Sequence, residues 1–293
     1  MDQAYLRAHP EHLPTFLTHQ RIRETPVGGG TVSAASRLTL DDGTSVFAKT
    51  CPSGQAPEGY YAAEAAGLTW LRSAGVIGVP EVIVALPSLL ATEWIDRGEP
   101  SRDAAARLGR ELAALHRSGA DAFGAPWPGY IGPLPLDNTP TPGPWGPWFA
   151  ERRLLPYLTI SADRGALSPA DVAAIERIIT TISAYADNEP PSRTHGDLWP
   201  GNVLWAADGR AWLIDPAAHG GHRETDLAEL SLFSGMPHHA DLLAAYQEVY
   251  PLAEGWRERV PLHQLHLLLV HTAAFGGSGR DAVRAAADSF LRA

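Results

Sequence analysis

The sequence predicts a two-lobed α+β protein: a β-rich N-terminal lobe over residues 1–96 and a mainly helical lobe over residues 97–293. Three observations carry this. Short β-prone runs separated by turn signals fill the first third, with a single helical stretch among them. A polar break, Asp96-Arg97-Gly98-Glu99-Pro100-Ser101, then interrupts the chain as a candidate linker. Beyond it, apolar residues recur at helical spacing.

Residues 21–49 read as strands. Runs over 32–40 and 45–48 flank the turn signal Asp41-Asp42-Gly43, and Gly28-Gly29-Gly30 separates them from the first run. A helix is expected over about 57–73, with Pro57 near its start and Gly75 just past its end. Residues 79–86 and 89–95 are strand-like around Pro87-Ser88. A helix over 103–116 places Leu108, Leu112 and Leu115 on one side. Residues 124–147 hold eight prolines in 24 positions, which predicts irregular structure, because proline fixes φ and has no N–H. Trp127, Trp145 and Trp148, in or beside that stretch, predict an ordered wall. Residues 171–186 read as helix, 202–205 and 211–214 as a small β insertion, and 225–293 as mostly helix. No internal repeat is apparent.

Hydrophobic residues make up 45% and charged residues 19% of the 293, as in ordinary globular proteins. The net charge of −10 argues against a nucleic-acid or anionic-membrane surface. A phosphate pocket stays open to it, since that needs only local cations and backbone N–H groups. Cys51 is the single cysteine, so there is no intrachain disulfide and no C-x-x-C motif. No apolar run reaches the roughly 18 residues of a membrane helix, and residues 1–23 lack the apolar core of a signal peptide. The expectation is a cytosolic protein. Of the 23 basic residues 22 are arginine, and Lys49 is the only lysine. A codon bias explains the missing lysines but not the retained one; a tight site for a compact ammonium does.

The strongest local pattern is His195-Gly196-Asp197-Leu198-Trp199-Pro200-Gly201-Asn202, followed by Ile214-Asp215-Pro216. Its H-x-D-x-x-x-x-N spacing with a later Asp suits phosphoryl transfer. One carboxylate orients the acceptor hydroxyl, while an amide oxygen and a second carboxylate hold Mg²⁺. Upstream, Gly28-Gly29-Gly30-Thr31 could cover phosphates with its backbone. Glu64 lies mid-helix among small and aromatic residues, where an acid is costly unless paired. A Lys49–Glu64 ion pair explains both residues. Glu58 is the rival partner, in the first helical turn, where an acid only complements the helix dipole.

Two other patterns fail. Residues 43–50 approach a Walker A motif, but Ala48 replaces its second glycine and the segment alternates like a strand. His219, His222, His238, His239, His263, His266 and His271 could suggest a metal, yet no H-E-x-x-H accompanies them, so surface or capping roles are expected. No G-x-S-x-G nucleophile elbow is present.

With these residues in place, the chain resembles the fructosamine kinase (ketosamine 3-kinase) family. That family sits in the aminoglycoside-phosphotransferase and choline-kinase-like group with a protein-kinase-like fold. The resemblance rests on residues 195–202, 214–217, 221–228, 108–116 and 149–156, and spans roughly 28–276. It implies ATP and Mg²⁺ as cofactors and a free or protein-bound ketosamine as acceptor, phosphorylated at its 3-hydroxyl and then prone to release its amine. By resemblance Asp197 is the catalytic base, Asn202 and Asp215 hold Mg²⁺, and Lys49 with Glu64 holds the phosphates. Glu93, Trp94 and Ile95 resemble the hinge whose backbone binds adenine, and Trp199 and His271 belong to the acceptor side. The alternatives are an aminoglycoside or other amino-sugar kinase of this fold, which net charge does not separate, and a catalytically silent nucleotide-binding protein. The intact set Lys49, Asp197, Asn202 and Asp215 argues against the last.

Overall fold

Strand alternation in the first third builds a five-stranded antiparallel sheet. The computed structural model describes residues 1–19, 22–28, 33–51, 56–182, 189–233 and 235–292. Its sheet comprises β1 (Arg23–Val27), β2 (Ala34–Thr39), β3 (Ser45–Thr50), β4 (Val82–Leu86) and β5 (Leu89–Glu93), in the order β1-β2-β3-β5-β4. On β3, Val46 and Ala48 join a core with Leu38, Ile83 and Leu89. That core is closed by Leu6 from α1 (Gln3–Ala8) and Leu13 from α2 (Leu13–Thr18). Sequence periodicity assigned no element to these two helices; at six residues each they are too short to carry one. Between β3 and β4 runs α3 (Tyr60–Arg72), burying Tyr61, Ala65, Leu68 and Leu71 at helical spacing.

The polar break keeps its place. After β5 the chain runs without regular structure to Ser101, whose hydroxyl accepts the N–H of Ala104 at 3.1 Å and caps α4 (Arg102–Arg117). α4 packs closely on α9 (His239–Val249), and a Cβ on Gly109 would lie 2.1 Å from the Leu242 carbonyl oxygen.

The proline-rich stretch departs from expectation. It contains a hairpin of β6 (Gly129–Ile131) with β7 (Leu134–Leu136), and α5 (Trp145–Phe149) starts within it. A two-stranded hairpin leaves each strand an outer edge, where Pro135 sacrifices no ladder bond. Trp145, Trp148 and Phe149 are buried with α6 (Leu155–Asp163), α7 (Pro169–Thr181), α10 (Trp256–Phe275) and α11 (Arg280–Arg292). A π-helical turn, Ala150–Leu154, joins α5 to α6. The helix expected to reach 186 ends at Thr181, and residues 183–188 lie outside those described.

Between α7 and α9 sit the small β elements that present the loop motifs. β8 (Ser192–Thr194) pairs with β11 (His219–Gly221), β9 (Val203–Trp205) pairs with β10 (Ala211–Leu213), and α8 (Arg223–Glu229) follows. Among the described residues, no helix is long and apolar enough to cross a membrane.

Candidate active site

Because side chains alternate along a strand, the residues of β3 between its core positions face the other way. Phe47 and Lys49 therefore line a cleft of about 370 Å³. Glu64 reaches it from α3, which also contributes Tyr60 to the lining. Lys49 Nζ donates to Glu64 Oε1 at 2.7 Å and to Asp215 Oδ1 at 2.6 Å. Glu58 is exposed, and the pairing is with Glu64. Burial works against the Lys49 ammonium, but Asp215 and Glu64 outweigh it and hold its pKa above the usual lysine value. Burial in turn raises Glu64, against the pull of Lys49.

The motif loop leaves β8 and is fixed by two fully buried acids from α8. The Asp226 carboxylate accepts the N–H of His195 at 2.7 Å and of Gly196 at 3.0 Å, and lies 3.1 Å from His116 Nε2. Burial alone would raise Asp226; His116 leads the groups that instead hold it below the usual carboxylate range. Glu229 accepts the N–H of Leu198 at 2.8 Å, while burial and the charges of Asp226 and Asp197 push it well upward. Gly196 takes φ +79°, and a Cβ there would lie 2.3 Å from the Ala217 carbonyl oxygen, so only glycine fits. His195 Nε2 is 2.9 Å from the Ile214 carbonyl, which can only accept. That fixes Nε2 as the protonated nitrogen and leaves Nδ1 to accept the Asp197 N–H at 3.3 Å. The ring thereby ties the Asp197 turn to the strand leading into Asp215.

Asp197, Asn202 and Asp215 converge. Asn202 Nδ2 donates to the Asp197 backbone oxygen at 2.8 Å and to its Oδ2 at 3.1 Å. The Ile214 N–H donates to the Asn202 backbone oxygen at 3.0 Å. Asp215 adopts φ +56°, a backbone conformation an aspartate tolerates at a cost, and with it meets Lys49. Burial, then the negative Asp215, pushes Asp197 up to about 8. Carboxylate and amide oxygens are the hard ligands Mg²⁺ takes. Asn202 donates through Nδ2, so its carbonyl oxygen is the atom available to a cation, beside the Asp215 carboxylate, whose side chain is 39% exposed. This donor set fits the metal.

Gly28, Glu93, Trp94 and Ile95 all line the cleft. The Glu93 N–H donates to the Glu81 carbonyl at 2.8 Å and its carboxylate lies 3.7 Å from Arg72. Gly29, Gly30 and Thr31 lie outside the described residues. Trp199 is half-buried on the cleft wall over Gly201, where a Cβ would come within 2.0 Å of its ring. His271 does not line the cleft. It stands one ring further out, 5.9 Å from Phe233, which in turn is 5.7 Å from Trp199.

Sequence reasoning assigned no role to Asp226 or Glu229. The signal that marked Glu64, an acid within an apolar stretch, was equally present in Leu227-Ala228-Glu229-Leu230. It also passed over Asn138, which lines the cleft; its Oδ1 accepts from the buried Arg153 at 2.8 Å, and its Nδ2 has no partner among the described residues. Nothing in the local sequence marked it. The histidines expected at the surface are partly internal: His219, His222, His263 and His266 are buried. His222 does cap α8, through the Glu224 N–H at 3.2 Å. His222, Glu224 and His263 come together, but the Arg259 guanidinium grips Glu224 at 2.9 and 2.7 Å, an ion pair that competes with any cation there.

Three comparisons bear on this geometry. The family model described as fructosamine kinase matches residues 7–293. A Staphylococcus aureus protein named "probable ketoamine kinase" is 33% identical over 293 residues, covering 96% of each chain. A Thermobifida fusca protein, provisionally assigned as a fructosamine-3-kinase, superposes with a TM-score of 0.88 at 49% identity, over 93% of this chain and 94% of its own. More distantly, choline kinase from Cryptosporidium parvum shares the fold at 12% identity and a TM-score of 0.59, over 99% and 93% of the two chains.

Proposed function

The chain belongs to the fructosamine kinase family, and we propose that it is a cytosolic kinase transferring the γ-phosphoryl group of MgATP to the 3-hydroxyl of a ketosamine, promoting loss of the amine. The observation that carries this reading is the meeting of Asp197, Asn202, Asp215 and the Lys49–Glu64 pair in one cleft. In it, residues 1–96 hold the nucleotide and residues 97–293 supply the loop and the acceptor side.

Each residue's part follows from its position. Trp94 and Ile95 offer main-chain groups to adenine. Lys49, aimed by Glu64, donates to the α- and β-phosphates. Asn202 and Asp215 hold Mg²⁺, which when bound neutralises charge on the phosphates. Asp197 accepts a hydrogen bond from the acceptor hydroxyl, takes its proton as the oxygen attacks phosphorus, and the bond to the ADP oxygen breaks. Burial, Asp215 and Asp226 raise Asp197, so neutralising the charge of Asp215 would favour the ionised form that accepts the proton. His195 and Asp226 touch none of the reacting atoms and act by positioning the loop.

The test is ATP consumption with fructosyl-lysine, a ribosylated amine, an aminoglycoside and choline offered separately. Turnover with the sugar–amine adducts is expected. Turnover confined to the aminoglycoside or choline, or to none of the four, overturns the reading.

A further inference from the structure

A row of aromatic rings leaves the cleft at Trp199 and ends in solvent. Trp199 meets Phe233 edge-on with centroids 5.7 Å apart, Phe233 meets His271 at 5.9 Å, and His271 meets Phe275 at 5.1 Å. Phe233 is 55% exposed and Phe275 is 51% exposed, two of only four large hydrophobic side chains exposed among the described residues. Phe233 is also held at φ +58°. A bulky non-glycine residue pays about 1–2 kcal/mol for that region, so an exposed phenylalanine kept there marks a constraint other than core packing.

We propose that Phe233, His271 and Phe275 form an outer subsite that takes the amine-bearing substituent of the acceptor and selects ketosamines with long or aromatic substituents. This rests on the function proposed above. With the nucleotide against Lys49 and the hinge, and the reacting hydroxyl at Asp197, Trp199 lines the cleft two residues from that carboxylate and begins a wall open to the rest of the acceptor. In a ketosamine the amine is on the first carbon, two carbons from the 3-hydroxyl, so its substituent leaves the sugar within reach of that wall. The amine is protonated at neutral pH and its substituent is often apolar. Aromatic faces attract the first and cover the second.

The experiment compares kcat/KM for three fructosyl-amines of one sugar, with glycine, Nα-acetyl-lysine and phenethylamine as the amine, in the wild type, Phe233→Ala, Phe275→Ala and Phe275→Tyr. The wild type should prefer the two larger substrates by about tenfold, a ratio worth ~1.4 kcal/mol. Either alanine variant should reduce the ratio to about twofold, and Phe275→Tyr should keep it. Melting temperature and solution mass are read on the same preparations. A wild-type enzyme that turns over all three equally overturns the subsite while leaving the proposed function standing. A ratio untouched by either alanine variant does the same, as does a change in solution mass that makes the row an interface between copies. Failure of every fructosyl-amine removes both.

Discussion

A lysine clasped by two carboxylates in a buried site is a demanding arrangement for any other cation. Lys49 reaches Glu64 and Asp215 with one compact nitrogen, and a larger, planar, forked guanidinium cannot occupy the same point. Lys49→Arg should therefore lower kcat/KM for ATP by at least about tenfold despite preserving charge, because part of the Lys49 contact is remade at the wrong distance. Wild-type kinetics in that variant would reduce the lone lysine to a codon remnant. Asp197→Asn addresses the other side of the cleft. It should lower kcat by about 10²–10⁴-fold, the usual contribution of a general base, with ATP affinity measured by titration nearly unchanged. A variant within a few-fold of the wild-type rate would remove Asp197 from the proton transfer. Both residues were legible in the sequence for physical reasons: one stood alone in composition, and the other lay in the H-x-D-x-x-x-x-N spacing that suits phosphoryl transfer. Asn138 was not, because its place depends on Arg153, brought to it by a π-helical turn that no local pattern announces.

The loop that carries Asp197 has little structure of its own and is held from outside. Asp226 joins three donors from two separate parts of the chain, the His195 and Gly196 N–H groups and the His116 ring. His116 is in turn 2.8 Å from the Tyr246 hydroxyl, so α4, α8 and α9 all bear on the loop through one carboxylate. An amide in its place accepts through one oxygen only and brings two new donors against N–H groups. Asp226→Asn should cost about 1–3 kcal/mol of stability for each donor left unpaired, and lower kcat more than it raises KM for ATP. Thermal unfolding and steady-state kinetics on one preparation check it; a Tm and kcat both at wild-type values would show the anchor to be dispensable. Elements of this kind explain where sequence reading stopped. β3, α3 and α4 were found because their periodicity is local. The β6–β7 hairpin was hidden by prolines that its open edges tolerate, and the loop's anchors were hidden because hydrogen bonds between residues 30 or more apart in sequence leave no spacing to read.

At the scale of the whole molecule, the change from period two to period 3.6 near Asp96 announced the two-lobed fold, whereas the histidines looked superficial and are largely internal. Their burial has a consequence for the entire chain. Burial keeps His195, His219, His239, His263 and His266 below the ordinary histidine pKa, His263 at about 4 and His266 at about 3. Each binds a proton less readily when folded than when unfolded, where it takes one below about pH 6.5. The stability they lend is thus present above that pH and is lost as pH falls toward the folded values. Three carboxyls act in the opposite sense. Burial raises Asp197 to about 8 and also raises Glu64 and Glu229, so each binds a proton more readily when folded than when unfolded, and acidification favours the native state at these groups. The imidazoles of the unfolded chain take up their protons within the acidic range and set the sign there. Below about pH 6, where the imidazoles of the unfolded chain are mostly protonated, the unfolded chain binds more protons, and each unbalanced proton is worth at most about 1.4 kcal/mol per pH unit. The melting temperature of the protein without nucleotide should therefore be lower at pH 5 than at pH 6. His263→Gln should flatten that dependence, since glutamine can still meet the Thr225 hydroxyl that lies 2.9 Å from His263 Nδ1 but cannot take the proton. A melting temperature that is level or rising on acidification would mean that the raised carboxyls, and not the buried imidazoles, govern the folding of this chain.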